Sequence, residues 1–269
     1  MARCPYCGSE IKEGAKFCGE CGAPIERRPQ REENLQLVSN TGLLLGQAAR
    51  QARLDAVYTE DQIISERAYN GVLLGVLLWG FLVNVLLCVF VGDVYRYVNP
   101  AVFLIGYFIC AAVGVFIAGK SRKPLVSFLG YNLVVLPFGL AISTAVAAYG
   151  GVDARVVTDA FLYTLLISVG MGGAALAFPS LFEKLGGAML GILIGLVVCE
   201  LLLLVFRVEQ SVTDWVAAGL FSLYIGFDIH RSQQFARTLD NAVDCALDIY
   251  LDVANLFLRL LRLLARRKD

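Results

Sequence analysis

The chain has 269 residues, of which 58% are hydrophobic and only 17% charged, against about 45–50% and about 25% for a soluble domain. Twenty-three basic residues balance 23 acidic ones, and mean hydropathy is +0.67. These figures exclude a soluble globular enzyme, a disordered chain and a basic nucleic-acid binder, and global charge names no partner.

The eight cysteines divide evenly. Cys4, Cys7, Cys18 and Cys21 form two CxxC pairs, CPYCG and CGECG, ten residues apart. Each pair turns two thiolates toward one point, and two such knuckles close a tetrahedral Cys4 zinc site with no open position for catalysis. Between them, SEIKEGAKF is long enough for one short hairpin. So small a unit has almost no core, so bound zinc supplies most of its folding energy. The competing disulfide reading is disfavoured in a reducing cytosol, and the sequence shows no cleavable signal peptide. This segment resembles the small zinc-ribbon family found at the N-terminus of many prokaryotic membrane proteins, which implies interaction or regulation. Cys88, Cys110, Cys199 and Cys245 are scattered singly and read as small hydrophobes.

Residues 1–25 are thus a zinc ribbon, 26–65 a polar linker followed by an amphipathic juxtamembrane segment, and 66–269 a membrane domain. Uncharged runs cover residues 70–92, 97–119, 124–152 (interrupted by Pro137) and 160–182. A fifth, 185–206, carries Glu200, and a sixth, 213–229, ends with Asp228. Each is long enough to span about 30 Å of hydrocarbon. The last, 241–264, contains Asp244, Asp248, Asp252, Arg259 and Arg262, so it either spans as an unusually polar helix or re-enters. The expected fold is an all-α polytopic bundle of six or seven transmembrane helices. Basic residues in the N-terminal region, in the second-to-third connection (Lys120, Arg122, Lys123) and in the sixth-to-seventh (Arg231, Arg237) place the N-terminus in the cytosol, and the zinc-ribbon resemblance implies a prokaryotic plasma membrane. The basic tail ARRKD agrees only if the seventh helix re-enters.

An ionisable side chain inside a membrane helix is a functional hypothesis by default. Two stand out: Asp228 in LFSLYIGFDIHR and Asp252 in ALDIYLDVANLFLRLLRLL. These strings resemble the closing signature of the Bax inhibitor family, the transmembrane Bax inhibitor motif proteins. The resemblance covers residues 66–267 by span count and spacing and is specific in the last two helices. It implies that Asp228 and Asp252 are paired carboxylates, and that the family's basic residue at the end of its second helix falls on or near Lys120. Physically, two carboxylates brought together in low dielectric do not both ionise cheaply, so they share a proton. Protonated, the pair ties helix six to helix seven. Deprotonated, it repels or admits a cation, which makes a gate responsive to pH and calcium. Two carboxylates give Ca2+ only a weak, partly hydrated site, because that ion prefers six to eight oxygens.

Asp240, Asp244, Asp248 and Asp252 recur every four residues, which on a helix forms one stripe. It is an acidic vestibule above the pair, or else Asp240 and Asp244 lie in the aqueous loop with Asp240 capping the helix. The loop reading is favoured for Asp240 and Asp244, and Asp248 stays open. Glu200 either pairs with a base along the pathway or sits at the interface near Arg207, the latter being favoured. Arg259 and Arg262 are expected to snorkel toward headgroups. The functional expectation is a pH-sensitive calcium leak. The alternative is a membrane regulator that docks a membrane protease or other partner through the zinc ribbon, a role implied by bacterial relatives. Enzyme activity is not expected: intramembrane aspartyl proteases carry Gly-x-Gly-Asp, whereas Ile249, Tyr250 and Leu251 precede Asp252.

Overall fold

In the computed structural model, residues 2–3, 10–11, 62–206 and 211–266 are described. The chain divides into two compact units, Met1–Ala48 and Ala49–Asp269. In the first, β1 (Ala2–Arg3) pairs antiparallel with β2 (Glu10–Ile11), Ala2 opposite Ile11 and Arg3 opposite Glu10. The hairpin expected within SEIKEGAKF falls, beyond Glu10–Ile11, outside the described residues. Cys4, Cys7, Cys18 and Cys21 themselves lie outside the described residues, as does the linker to residue 61.

The second unit is helical. Its elements are α1 (Glu66–Phe90), α2 (Pro100–Lys120), α3 (Pro124–Ala148), α4 (Arg155–Ala177), α5 (Pro179–Val205), α6 (Ser211–Ser232) and α7 (Leu239–Arg266). Among the described residues, five helices are long and apolar enough to cross a membrane: α1, α2, α3, α4 and the Val212–Ser232 portion of α6. Capping residues set the entries. Ser65 accepts from the Ala68 N–H ahead of α1, Asn99 does the same for Ala101 ahead of α2, and prolines open α2 and α3, where a missing N–H costs nothing. Pro137 does not interrupt α3, which runs through it. Membrane helices tolerate such a residue because neighbouring groups take up the freed carbonyl.

Helix α7 is continuous for 28 residues, about 42 Å at 1.5 Å per residue, which exceeds a hydrocarbon core of about 30 Å. It runs unbroken through the bundle. Helices α1, α3, α4 and α6 pack around it, and sixteen of its residues are buried. The near end of the bundle is defined by the starts of α1, α3 and α7, and the far end by the start of α6 and the C-terminus of α7. Near-end ties are the Ile64 N–H donating to the Arg237 carbonyl (2.8 Å), the Tyr69 hydroxyl donating to the Ser232 carbonyl (2.9 Å), and the Arg237–Glu66 ion pair. Midway, the Tyr250 hydroxyl donates to Asn84 Oδ1 (3.0 Å), joining α7 to α1.

The α2–α3 crossing needs glycine. A Cβ on Gly114 or on Gly130 would stand 2.7 Å from the other residue's carbonyl oxygen, closer than packed atoms allow. Gly130→Ala is therefore expected to destabilise the bundle by about 1–3 kcal/mol. Gly191→Ala, where nothing lies within 4 Å, is expected to leave it unchanged. Thermal unfolding of both variants in one detergent checks the contrast.

Candidate functional site

The acidic stripe of α7 enters the protein interior at once. Asp240, in the helix's first turn, is buried and accepts a hydrogen bond from the Ser127 hydroxyl of α3. Asp244 is buried as well, and Asp248 is half-buried. The aqueous-loop reading of Asp240 and Asp244 is thus overturned. The capping residue is Thr238, whose Oγ accepts from the Asn241 N–H (3.2 Å) and whose carbonyl accepts from Ala242. With Thr238 in that role, Asp240 is free to turn inward to α3. Asp252 lies three turns further along α7, 8% exposed, and Asp228 lies near the end of α6, 5% exposed. The two helices carrying them pack against each other.

A cavity of about 230 Å3 opens at the near end and is lined by Asp240, Thr238, Gln62 and Arg122, among others. Arg122 thus lies beside Asp240 at the start of the acidic stripe. Lys120 is exposed at the end of α2, its ammonium 5.3 Å from the centroid of the Phe116 ring on its own helix. Among the described residues, no cluster of three or more His, Cys, Asp or Glu side chains could hold a metal ion.

At the far end the charges are paired. Arg259 of α7 makes a two-pronged contact with Glu200 of α5, with Nη2 to Oε2 at 2.8 Å, and its Nη1 also donates to Asp214 Oδ1 of α6 at 2.9 Å. Arg262 and Arg266 add further contacts to Asp214, at 3.3 and 3.2 Å. Asp214 is fully buried and the Arg259 side chain is 12% exposed. Glu200 therefore belongs to an interhelical ion pair with Arg259, and Arg207 lies outside the described residues. Arg259 is engaged by Glu200 and Asp214. The forked geometry of guanidinium on carboxylate is what makes such a buried pair tolerable, and removing one partner of a buried pair costs about 3–5 kcal/mol.

Asp214 escaped the sequence reading altogether. The signal that would have found it is the spacing of Arg259, Arg262 and Arg266 on one face of a single helix. Three cations on one face of a membrane helix call for an acid on a neighbour, and Asp214 and Glu200 are the acids of the adjoining helices at that level.

In the N-terminal unit, β1 returning on β2 brackets Cys4 and Cys7, and four thiolates suit the softness and tetrahedral preference of zinc. When bound, zinc supplies folding energy there and no reaction chemistry, and the residues holding it would be Cys4, Cys7, Cys18 and Cys21.

Residues 62–269 match the family profile described as inhibitor of apoptosis-promoting Bax1, and residues 3–25 match that of a zinc-ribbon domain. An uncharacterized protein of Campylobacter jejuni is 32% identical over 128 residues, an alignment covering 46% of this chain and 53% of that protein. The chain thus spans about half the length of this curated relative. With most of its length in one family match and five membrane-length apolar helices on the page, this multi-pass membrane protein belongs to the Bax inhibitor family and carries an N-terminal zinc-ribbon domain.

Proposed function

We propose that the membrane domain is a pH-sensitive cation leak pathway, with calcium as a conducted ion, gated by Asp228 and Asp252. The observation supporting this reading is that both carboxylates are buried on two helices packed against one another. Acidic groups in such surroundings hold a proton in common more readily than they carry two charges. With the proton, α6 and α7 are latched. Without it, the carboxylates repel each other and a passing cation neutralises them. Asp240, Asp244 and Asp248 extend the acidic surface toward the near-end cavity, where an arriving cation is concentrated before it meets the latch. Calcium in transit keeps most of its water, because two carboxylates fill a small part of its coordination shell. The reading is non-enzymatic.

In proteoliposomes, calcium flux through the wild type is expected to rise as pH increases from acid to neutral. Asp252→Asn is expected to stay low at every pH, because an amide donates permanently to the remaining carboxylate, as a protonated acid does. Flux that ignores both pH and this substitution would remove the gate.

A second reading is a membrane regulator that docks a membrane protease or other partner through the zinc ribbon. It is favoured by one observation, that the ribbon match ends before the Bax inhibitor match begins, which marks it as an added module. The purified chain is expected to carry about one zinc per molecule by elemental analysis, lost in Cys18→Ser with Cys21→Ser. Co-purification of a membrane partner that persists in that zinc-free variant would sink the docking role.

A further inference from the structure

The C-terminal half of α7 brings more guanidinium groups together than the carboxylates they meet. Arg259, Arg262 and Arg266 face Glu200 and Asp214, three guanidinium groups against two carboxylates among the described residues. Arg259 is engaged by both acids. Arg262 and Arg266 reach only Asp214, and their side chains stay 34% and 38% exposed. Beside them a cavity of about 330 Å3 opens between α3 and α7, with Ala141, Ala145, Ala148 and Tyr149 on one wall and Leu261 and Arg262 on the other. Alanines at three- and four-residue intervals leave side-chain volume missing along one face of α3. The resulting slot is about 10 Å long from Ala141 to Ala148. Tyr149 at its mouth and the exposed Trp215 near the start of α6 lie at this same end, the level at which aromatic residues meet lipid headgroups.

We propose that this groove binds one anionic phospholipid, with its phosphate on Arg262 and Arg266 and an acyl chain along the alanine slot. An apolar slot running down from a pair of cations matches a molecule that is charged at one end and apolar along its length, which a dissolved anion is not. The chain itself gains little in the slot, since lipid tails are as apolar as the side chains that line it. Discrimination therefore resides in the headgroup charge, and rising salt weakens it. The basic residues of the near end, Arg122 and Lys123, attract anionic headgroups too, so the deciding variants are confined to the far end.

The test titrates the delipidated full chain in detergent with dioleoyl-phosphatidylglycerol or dioleoyl-phosphatidylcholine and counts bound lipid by native mass spectrometry. The first phosphatidylglycerol is expected to bind about fivefold more tightly than phosphatidylcholine. Arg262→Gln with Arg266→Gln is expected to bring the two lipids to parity, while Arg259 keeps Asp214 paired and the fold intact. Ala145→Phe fills the slot, leaves every charge in place, and is expected to lose the same first lipid. Thermal unfolding verifies that each variant is folded, and Arg266→Gln alone, at the most exposed of the three arginines, is the milder variant with a partial loss. Parity in the wild type, or a preference that survives both the charge and the slot variants, would overturn the proposal. Displacement of phosphatidylglycerol by millimolar inorganic phosphate would make this a site for a dissolved anion and overturn the lipid assignment as well.

Discussion

The bundle depends on keeping its most polar helix out of lipid. Helix α7 carries Asp240, Asp244, Asp248 and Asp252 in its first half and Arg259, Arg262 and Arg266 in its second. Each charge left at the middle of a bilayer would cost about 2.5–3.5 kcal/mol by insertion scales, so a helix bearing this many has one stable location, among other helices. The arrangement follows. Helices α1, α3, α4 and α6 surround it, and their outward faces, with α2, present leucine, isoleucine, valine and phenylalanine. Polarity gathers on the axis and apolar surface faces outward, the reverse of a soluble protein.

The two halves of α7 solve the problem of buried charge differently. At the far end, carboxylates meet guanidinium groups in a tight network across α5, α6 and α7. Such a network is rigid, because pulling any member away strands its partners. At the near end Asp240 is met by a hydroxyl group, that of Ser127. A hydroxyl partner serves a protonated or an ionised carboxyl alike, donating to one and accepting from the other. Ser127 is thus a partner for either form of Asp240, while the far half holds the helices in register.

How much of this the sequence disclosed follows the same physics. The five apolar spans were legible within a few residues because lipid imposes a length and a composition that hydropathy measures directly. The zinc-ribbon domain was legible because metal geometry fixes the spacing of its cysteine pairs. The failures share one cause: hydropathy registers the solvent a residue would prefer, not the partner it finds. Asp240 and Asp244 looked like loop residues because Ser127 stands 113 positions away. Glu200 and Arg259 looked like interfacial residues because their attraction links positions 59 apart. Asp214, close to the start of a span, drew no notice although it organises three arginines. Periodicity did better than hydropathy here, since the four-residue recurrence of the aspartates correctly put them on one helix.

Helix α7 also falls short of the hydropathy that marks the other spans, so it has little tendency to partition into a bilayer alone. It follows the six others in the sequence, and the short turn after α6 delivers it beside finished neighbours. Its entry into the membrane is thus a templated step, driven by waiting partners and not by the oil itself. A nascent chain lacking α6 would be expected to leave this last segment stranded in water, its aspartates and arginines hydrated and the bundle hollow where its axis should be.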